Sequence, residues 1–243
     1  MSFKMVKMNF QDGCQETKKF QEGQIAAMKV TGLVYRTKST ILGAKMAAEF
    51  SIAISDGVLA ASAFYAIYLL KGVNALSQVG FFTIGMAATV GVFRFGLENA
   101  HSQLIFAHKT LSWLARVLGM ALISVSYCQK SDFQLLYHIL LAISIALVIM
   151  SQFLSPSLLE TFTAIISSGS VVIMLLVSLI DFNAHGVLGA IGYVIAGLVI
   201  GVEGHFHGIP NVDLFHYAMF FANIALALGL AKQPTLIYYK KTV

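Results

Sequence analysis

The chain has little of what a water-exposed domain needs. Charged residues fill 11% of its 243 positions, less than half the share of about 25% found in soluble domains, too few to cover a solvated surface. Its two cysteines, Cys14 and Cys128, lie far apart, so no disulfide framework or CxxC site can form. Met1–Gln24 is polar and has no apolar core, which argues against a cleavable signal peptide. There is no GxSxG nucleophile elbow and no phosphate-binding glycine loop. The glycines of Gly189–Gly197 sit in an apolar run and cannot cradle a nucleotide. Residues 213–231 contain no lysine for a retinal-type Schiff base, and His138, the one histidine well inside an apolar run, has no evident mate for haem ligation. No aromatic-basic module accompanies the basic residues, so nucleic acid is not an expected partner.

What the chain does have is apolar length. Hydrophobic residues make up 58% of it, arranged in runs near the roughly 20 residues that cross a hydrocarbon core. Seven runs, 51–70, 79–97, 110–128, 133–153, 160–181, 186–203 and 213–231, predict an all-α polytopic membrane protein. Isolated apolar segments must be helices, because lipid offers the backbone no hydrogen-bonding partner. The connections near Gly72–Gln78, Lys130–Asp132 and Ser155–Leu159 are short, which makes consecutive helices antiparallel neighbours. In Ser155-Pro156-Ser157, proline fixes φ and serine can cap the following helix.

Residues 1–24 read as a disordered basic tail and residues 232–243 as a polar C-terminal tail around the 50–231 membrane domain. Between tail and first span, at 25–49, Ile25, Met28, Val30, Val34, Ile41 and Met46 alternate with Lys29, Arg36, Lys38 and Lys45. That pattern fits an interfacial helix or a plain juxtamembrane linker. Lys4, Lys7, Lys18, Lys19, Lys29, Arg36, Lys38 and Lys45 are eight of the sixteen basic residues. They suit anionic lipid head groups and a cytoplasmic N-terminus, although Lys232, Lys240 and Lys241 pull the other way for the C-terminus.

The densest ionisable stretch is Gly201–Tyr217, with Glu203, His205, His207, Asp213 and His216. Parity of crossing puts it on the same side as Glu98, His101 and His108, with Asp56 one turn into the first span near that face. Asp213 and His216, three apart at a helix start, share a face. With His101 they form a candidate zinc set, and His205 and His207 could serve as loop ligands. Asp56 is the intramembrane polar candidate, with Ser51, Ser55 and Ser62 in its helix and Arg94 as a prospective partner. Arg116 is expected to snorkel or pair locally. Gly197 and Gly201 form a GxxxG, read as a helix-packing contact or a dimer face towards a membrane-protein partner.

Two resemblances follow from these residues. The layout of a histidine after span two and ligands at span seven is similar to that of the ceramidase and adiponectin-receptor superfamily. The resemblance implies a zinc-dependent membrane amidase with ligands at His101, Asp213 and His216. Leu97 and Val212 occupy the positions four before His101 and His216 where that superfamily has serine and histidine. The last quarter of the chain, Asn183-Ala184-His185-Gly186, Gly189-Ala190, Ala196-Gly197-Leu198 and Pro210-x-x-Asp213, resembles the transmembrane protein 276 family and implies a fold without an activity. Three functions stay open: a non-enzymatic accessory, scaffold or sensor protein; a zinc-dependent lipid amidase or hydrolase; and a small transporter or channel component.

Overall fold

A computed structural model describes residues 49–231. The expectations for the basic tail, the 25–49 helix and the 232–243 tail lie outside the described residues. Seven helices fill the described part: α1 Glu49–Leu69, α2 Ala75–Gly96, α3 Ser102–Lys130, α4 Gln134–Met150, α5 Pro156–Ile180, α6 Ala184–Ile200 and α7 Asn211–Ala231. Five of them, α1, α2, α3, α5 and α7, are long and apolar enough to cross a membrane; α4 and α6 have 17 residues or fewer. The α3 helix begins eight residues before the expected span, because His101 caps it and its first turns, Ser102–Lys109, are helical without being uniformly apolar. Ser155 caps α5 as the sequence suggests, its Oγ accepting from the Leu158 amide at 3.4 Å, with Pro156 as first helical residue.

The helical hairpins α1–α2, α3–α4 and α5–α6 each turn on a residue in the left-handed region: Gly72 (φ 77°), Asp132 (φ 63°) and Phe182 (φ 53°). Only glycine adopts this conformation without strain. Phe182 is 88% exposed and contributes little packing there. Phe182→Gly is therefore expected to stabilise the protein by about 1 kcal/mol, measured as a raised unfolding midpoint in detergent; a lower midpoint would mean that the ring anchors the turn.

Two helix pairs share one plan. Asn74 caps α2 by accepting from the Ser77 amide at 3.1 Å, and its Nδ2 donates to Gln129 Oε1 at the end of α3 at 2.9 Å. Asn183 caps α6 by accepting from the Gly186 amide at 3.1 Å, and its Nδ2 donates to the Gly229 carbonyl at the end of α7 at 2.9 Å. Six residues on, Gly80 lets α2 approach Gly119 and Ile123 of α3, and Gly189 lets α6 approach Leu226 of α7. The pairs α2–α3 and α6–α7 thus repeat the motif Asn-Ala-x4-Gly. Each pair also contains one π-wound stretch, Ala115–Gly119 in α3 and Ile195–Ile200 in α6.

The glycines that pack α6 are not those of the GxxxG. Gly186, Gly189 and Gly192 meet Tyr127, Leu226 and Ala222, whereas the Cβ positions of Gly197 and Gly201 face nothing within 4 Å. Gly197 lies in the π-wound turn, and Gly201 has already left the helix at φ 66°. The intramolecular reading of that motif is corrected accordingly: the two glycines do not present one α-helical ridge.

The core joins α1, α2, α3, α5, α6 and α7 through Leu59, Phe81, Ile123, Met174, Ala190 and Leu226. Contacts between α1 and α7 advance together along both helices, Ser51 to Asp213, Ser55 to His216 and Ser62 to Asn223. The two helices are therefore parallel neighbours, and this seam carries the two buried aspartates, Asp56 and Asp213.

Candidate functional site

Because α1 and α7 run parallel, their first turns lie side by side. Asp213, in the first turn of α7, is 3% exposed. Its two oxygens accept hydroxyls from α1: Ser51 Oγ donates to Oδ2 at 2.7 Å and Ser55 Oγ to Oδ1 at 2.7 Å. One turn deeper on α7, His216 Nδ1 is 3.0 Å from Ser55 Oγ and 3.6 Å from Asp56 Oδ1. Both aspartates and the imidazole thus converge on one serine and its neighbour.

The Asp56 side chain is shaped by a glycine on α2. A Cβ at Gly91 would overlap Asp56 Oδ2 and would lie 3.0 Å from His108 Nε2 of α3, so only glycine leaves room for the carboxylate. Asp56 is 2% exposed, and its Oδ2 has no hydrogen-bond partner among the described residues. His108 Nδ1 receives a hydrogen bond from Arg94 at 2.6 Å, and Ser112 Oγ is 3.4 Å from Nε2. Arg94, the prospective partner of Asp56, lies in the same cluster, hydrogen-bonded to His108.

The cluster lies a short way inside the helix ends. Asp56 is seven residues after Glu49, His216 five after Asn211, and Gly91 five before Gly96. At 1.5 Å per residue these are depths of about 8–10 Å. A second polar layer lies two turns further along the same seam: Tyr193 Oη donates to Asn223 Oδ1 at 2.5 Å, and Asn223 Nδ2 donates to Ser62 Oγ at 3.0 Å.

Several sequence candidates fall outside the cluster. His101 is exposed at the start of α3, where its Nδ1 accepts from the Gln103 amide at 3.4 Å. His205 and His207 are exposed on a two-stranded hairpin that pairs His205 with Pro210 and Phe206 with Ile209. His207 and Gly208, at φ 50° and 85°, make its two-residue turn. Asn211 ties this hairpin to α7 by donating from Nδ2 to the Glu203 carbonyl at 2.7 Å. Among the described residues, no three His, Cys, Asp or Glu side chains are grouped to hold a metal ion. Of the candidate zinc set, His101 caps α3, while Asp213 and His216 contact Ser51 and Ser55 of α1. Arg116 does pair locally, donating to Glu160 Oε1 of α5 at 2.9 Å with both side chains exposed.

The sequence reading named Asp56, Asp213, His216 and Arg94, and noted the serines of α1 only as neighbours of Asp56. The signal for Ser51 and Ser55 is their four-residue spacing, which aligns both hydroxyls along one face of α1. Tyr193 and Asn223 gave no signal, being neutral residues inside apolar runs.

Comparison with known families, curated proteins and solved structures gives no match to this chain.

Proposed function

We propose that this is a seven-span membrane protein, a small transporter or channel component, in which the α1–α7 seam carries protons. The observation behind the proposal is the hydrogen-bond chain His216–Ser55–Asp213, in which Ser55 and Asp213 are buried and His216 is half-buried. An imidazolium at His216 can donate from Nδ1 to Ser55 Oγ while Ser55 passes its own proton to Asp213 Oδ1. The products are a neutral imidazole and a carboxylic acid, so charge and protons balance, and the reverse transfer restores the start. Asp56, 3.6 Å from His216 Nδ1, stabilises the charged imidazole.

The magnitude of burial separates this reading from a purely structural one. An aspartate at a span centre costs about 2.5–3.5 kcal/mol on insertion scales, against a total stability of about 5–15 kcal/mol. Two such groups, even at interfacial depth, are a large burden for a scaffold that has no use for them. Intramembrane carboxylates and imidazoles facing one another are typical of proton relays.

The parallel packing of α1 and α7 limits the span count to five or seven. An even number of crossings must separate their starts, so α4 and α6 both cross or neither does. At 1.5 Å per residue, a 17-residue helix reaches about 25 Å, the short end of the length range of about 17–25 residues that spans a hydrocarbon core. Both crossing gives seven spans.

Proteoliposomes containing the full chain and an internal pH-sensitive dye test the function. Under a potassium-diffusion potential, the wild type is expected to move protons and Asp213→Asn to do so about 100-fold more slowly. Wild-type flux no faster than that of empty liposomes, at either sign of the potential, would overturn the proposal.

A further inference from the structure

We infer that Arg94 is a positioning residue: it holds His108 as the Nε2–H tautomer and so turns a donor towards Asp56 Oδ2, the oxygen that lacks one. Only the flux readout below rests on the proton-relay reading. The guanidinium has donors and no acceptor. Its NH1, 2.6 Å from His108 Nδ1, therefore requires a lone pair on that nitrogen. In the neutral ring the proton must then reside on Nε2. That nitrogen lies beside the Gly91 notch into which Asp56 Oδ2 projects, with Ser112 Oγ 3.4 Å away.

Arg94 is itself fixed. Its guanidinium lies 4.6 Å from the centroid of the Phe95 ring, and that ring meets His108 edge-on at 5.5 Å. Stacking on the ring limits the orientations of the guanidinium and of the lone pair it selects. The result places Asp56 between two imidazoles, His216 on the Oδ1 side and His108 on the Oδ2 side. With Nδ1 committed to Arg94, His108 cannot accept a proton there. It is a fixed donor on the Oδ2 side of Asp56, outside the chain of transfer.

The test combines spectroscopy and transport on the full chain in lipid. Nitrogen-15 NMR of histidine-labelled protein, with the His108 signals assigned by their loss in His108→Gln, reads the tautomer. The wild type is expected to show unprotonated Nδ1 and protonated Nε2. Arg94→Lys, which keeps a cationic donor, should retain that pattern and most of the flux. Arg94→Gln, whose amide can donate or accept, should mix the tautomers and slow flux about tenfold, less than the 10²–10⁴ associated with losing an acid–base group itself. Protonated Nδ1 in the wild type would overturn the inference. So would an Arg94→Gln variant that loses thermal stability but keeps both tautomer and flux, because a merely structural tie between α2 and α3 predicts that result. If the wild type carries no protons, the relay reading fails while the tautomer is still decided by the spectrum.

Discussion

Ser55→Ala is expected to slow proton flux by about 100-fold or more while leaving the protein folded. Ser55 is the bridge between His216 and Asp213: its Oγ is 3.0 Å from Nδ1 and donates to Oδ1 at 2.7 Å. Removing the hydroxyl leaves a methyl group between the two, which can neither accept nor pass a proton. The packing change is small, since the substitution removes one atom from a fully buried site. Ser51→Ala is the matched comparison. Ser51 donates to the other oxygen of Asp213, at 2.7 Å, and stands outside the path from His216. Losing one hydrogen bond to a charged group costs about 1.5–3 kcal/mol, so this variant should lose stability but keep flux within a few-fold. Flux in the same dye-loaded proteoliposomes separates the two. Equal flux in Ser55→Ala and wild type would remove the serine from the path, and an equal loss in both variants would point to Asp213 placement instead of transfer.

Much of the helical layout was legible in the sequence because apolar runs bounded by short polar turns leave lipid-exposed backbone no alternative to helices. The start of α3 was not, since Ser102–Lys109 mixes Lys109 and His108 with apolar residues and lacks the hydropathy of a span. Nor were the π-wound turns, whose residues, such as Ile195–Ile200, read as ordinary apolar helix. The Asn-Ala-x4-Gly repeat is too short to stand out until both asparagines are seen reaching the ends of α3 and α7. At the site, parity grouped Asp56, His108, Asp213 and His216 on one face, but parity fixes the side of the membrane and not the direction in which a side chain points. It therefore admitted His101, which turns to cap its own helix, and His205 and His207, which a tight hairpin holds outside. Which glycine lies at a crossing depends on helix rotation, and the GxxxG spacing at Gly197 and Gly201 does not contain that information.

That dependence gives the largest expected effect on folding. Gly229→Val should cost about 3 kcal/mol or more, at or beyond the upper end for overpacking, and yield little monodisperse protein. A Cβ at Gly229 would lie 2.5 Å from Tyr127 Oη, 2.8 Å from the Gly186 nitrogen and 3.1 Å from the Gly186 Cα. Two of these atoms are backbone of α6 and cannot rotate away. Gly186 cannot retreat either, because its own Cβ position is blocked by Ser178 and Tyr127. Separating α6 from α7 would displace Tyr127, whose hydroxyl donates to the Leu226 carbonyl at 2.8 Å, and Asn183, which donates to the Gly229 carbonyl. The same α7 carries Asp213 and His216 at its other end, so a shift of the helix along its axis would also break their register with Ser51 and Ser55. Gly197→Ala is the control: nothing lies within 4 Å of its Cβ position, and a methyl group there should leave the unfolding midpoint within about 0.5 kcal/mol of wild type. Size-exclusion profiles and unfolding midpoints in one detergent compare the two, and a well-folded Gly229→Val protein would show that α6 and α7 do not cross at this glycine.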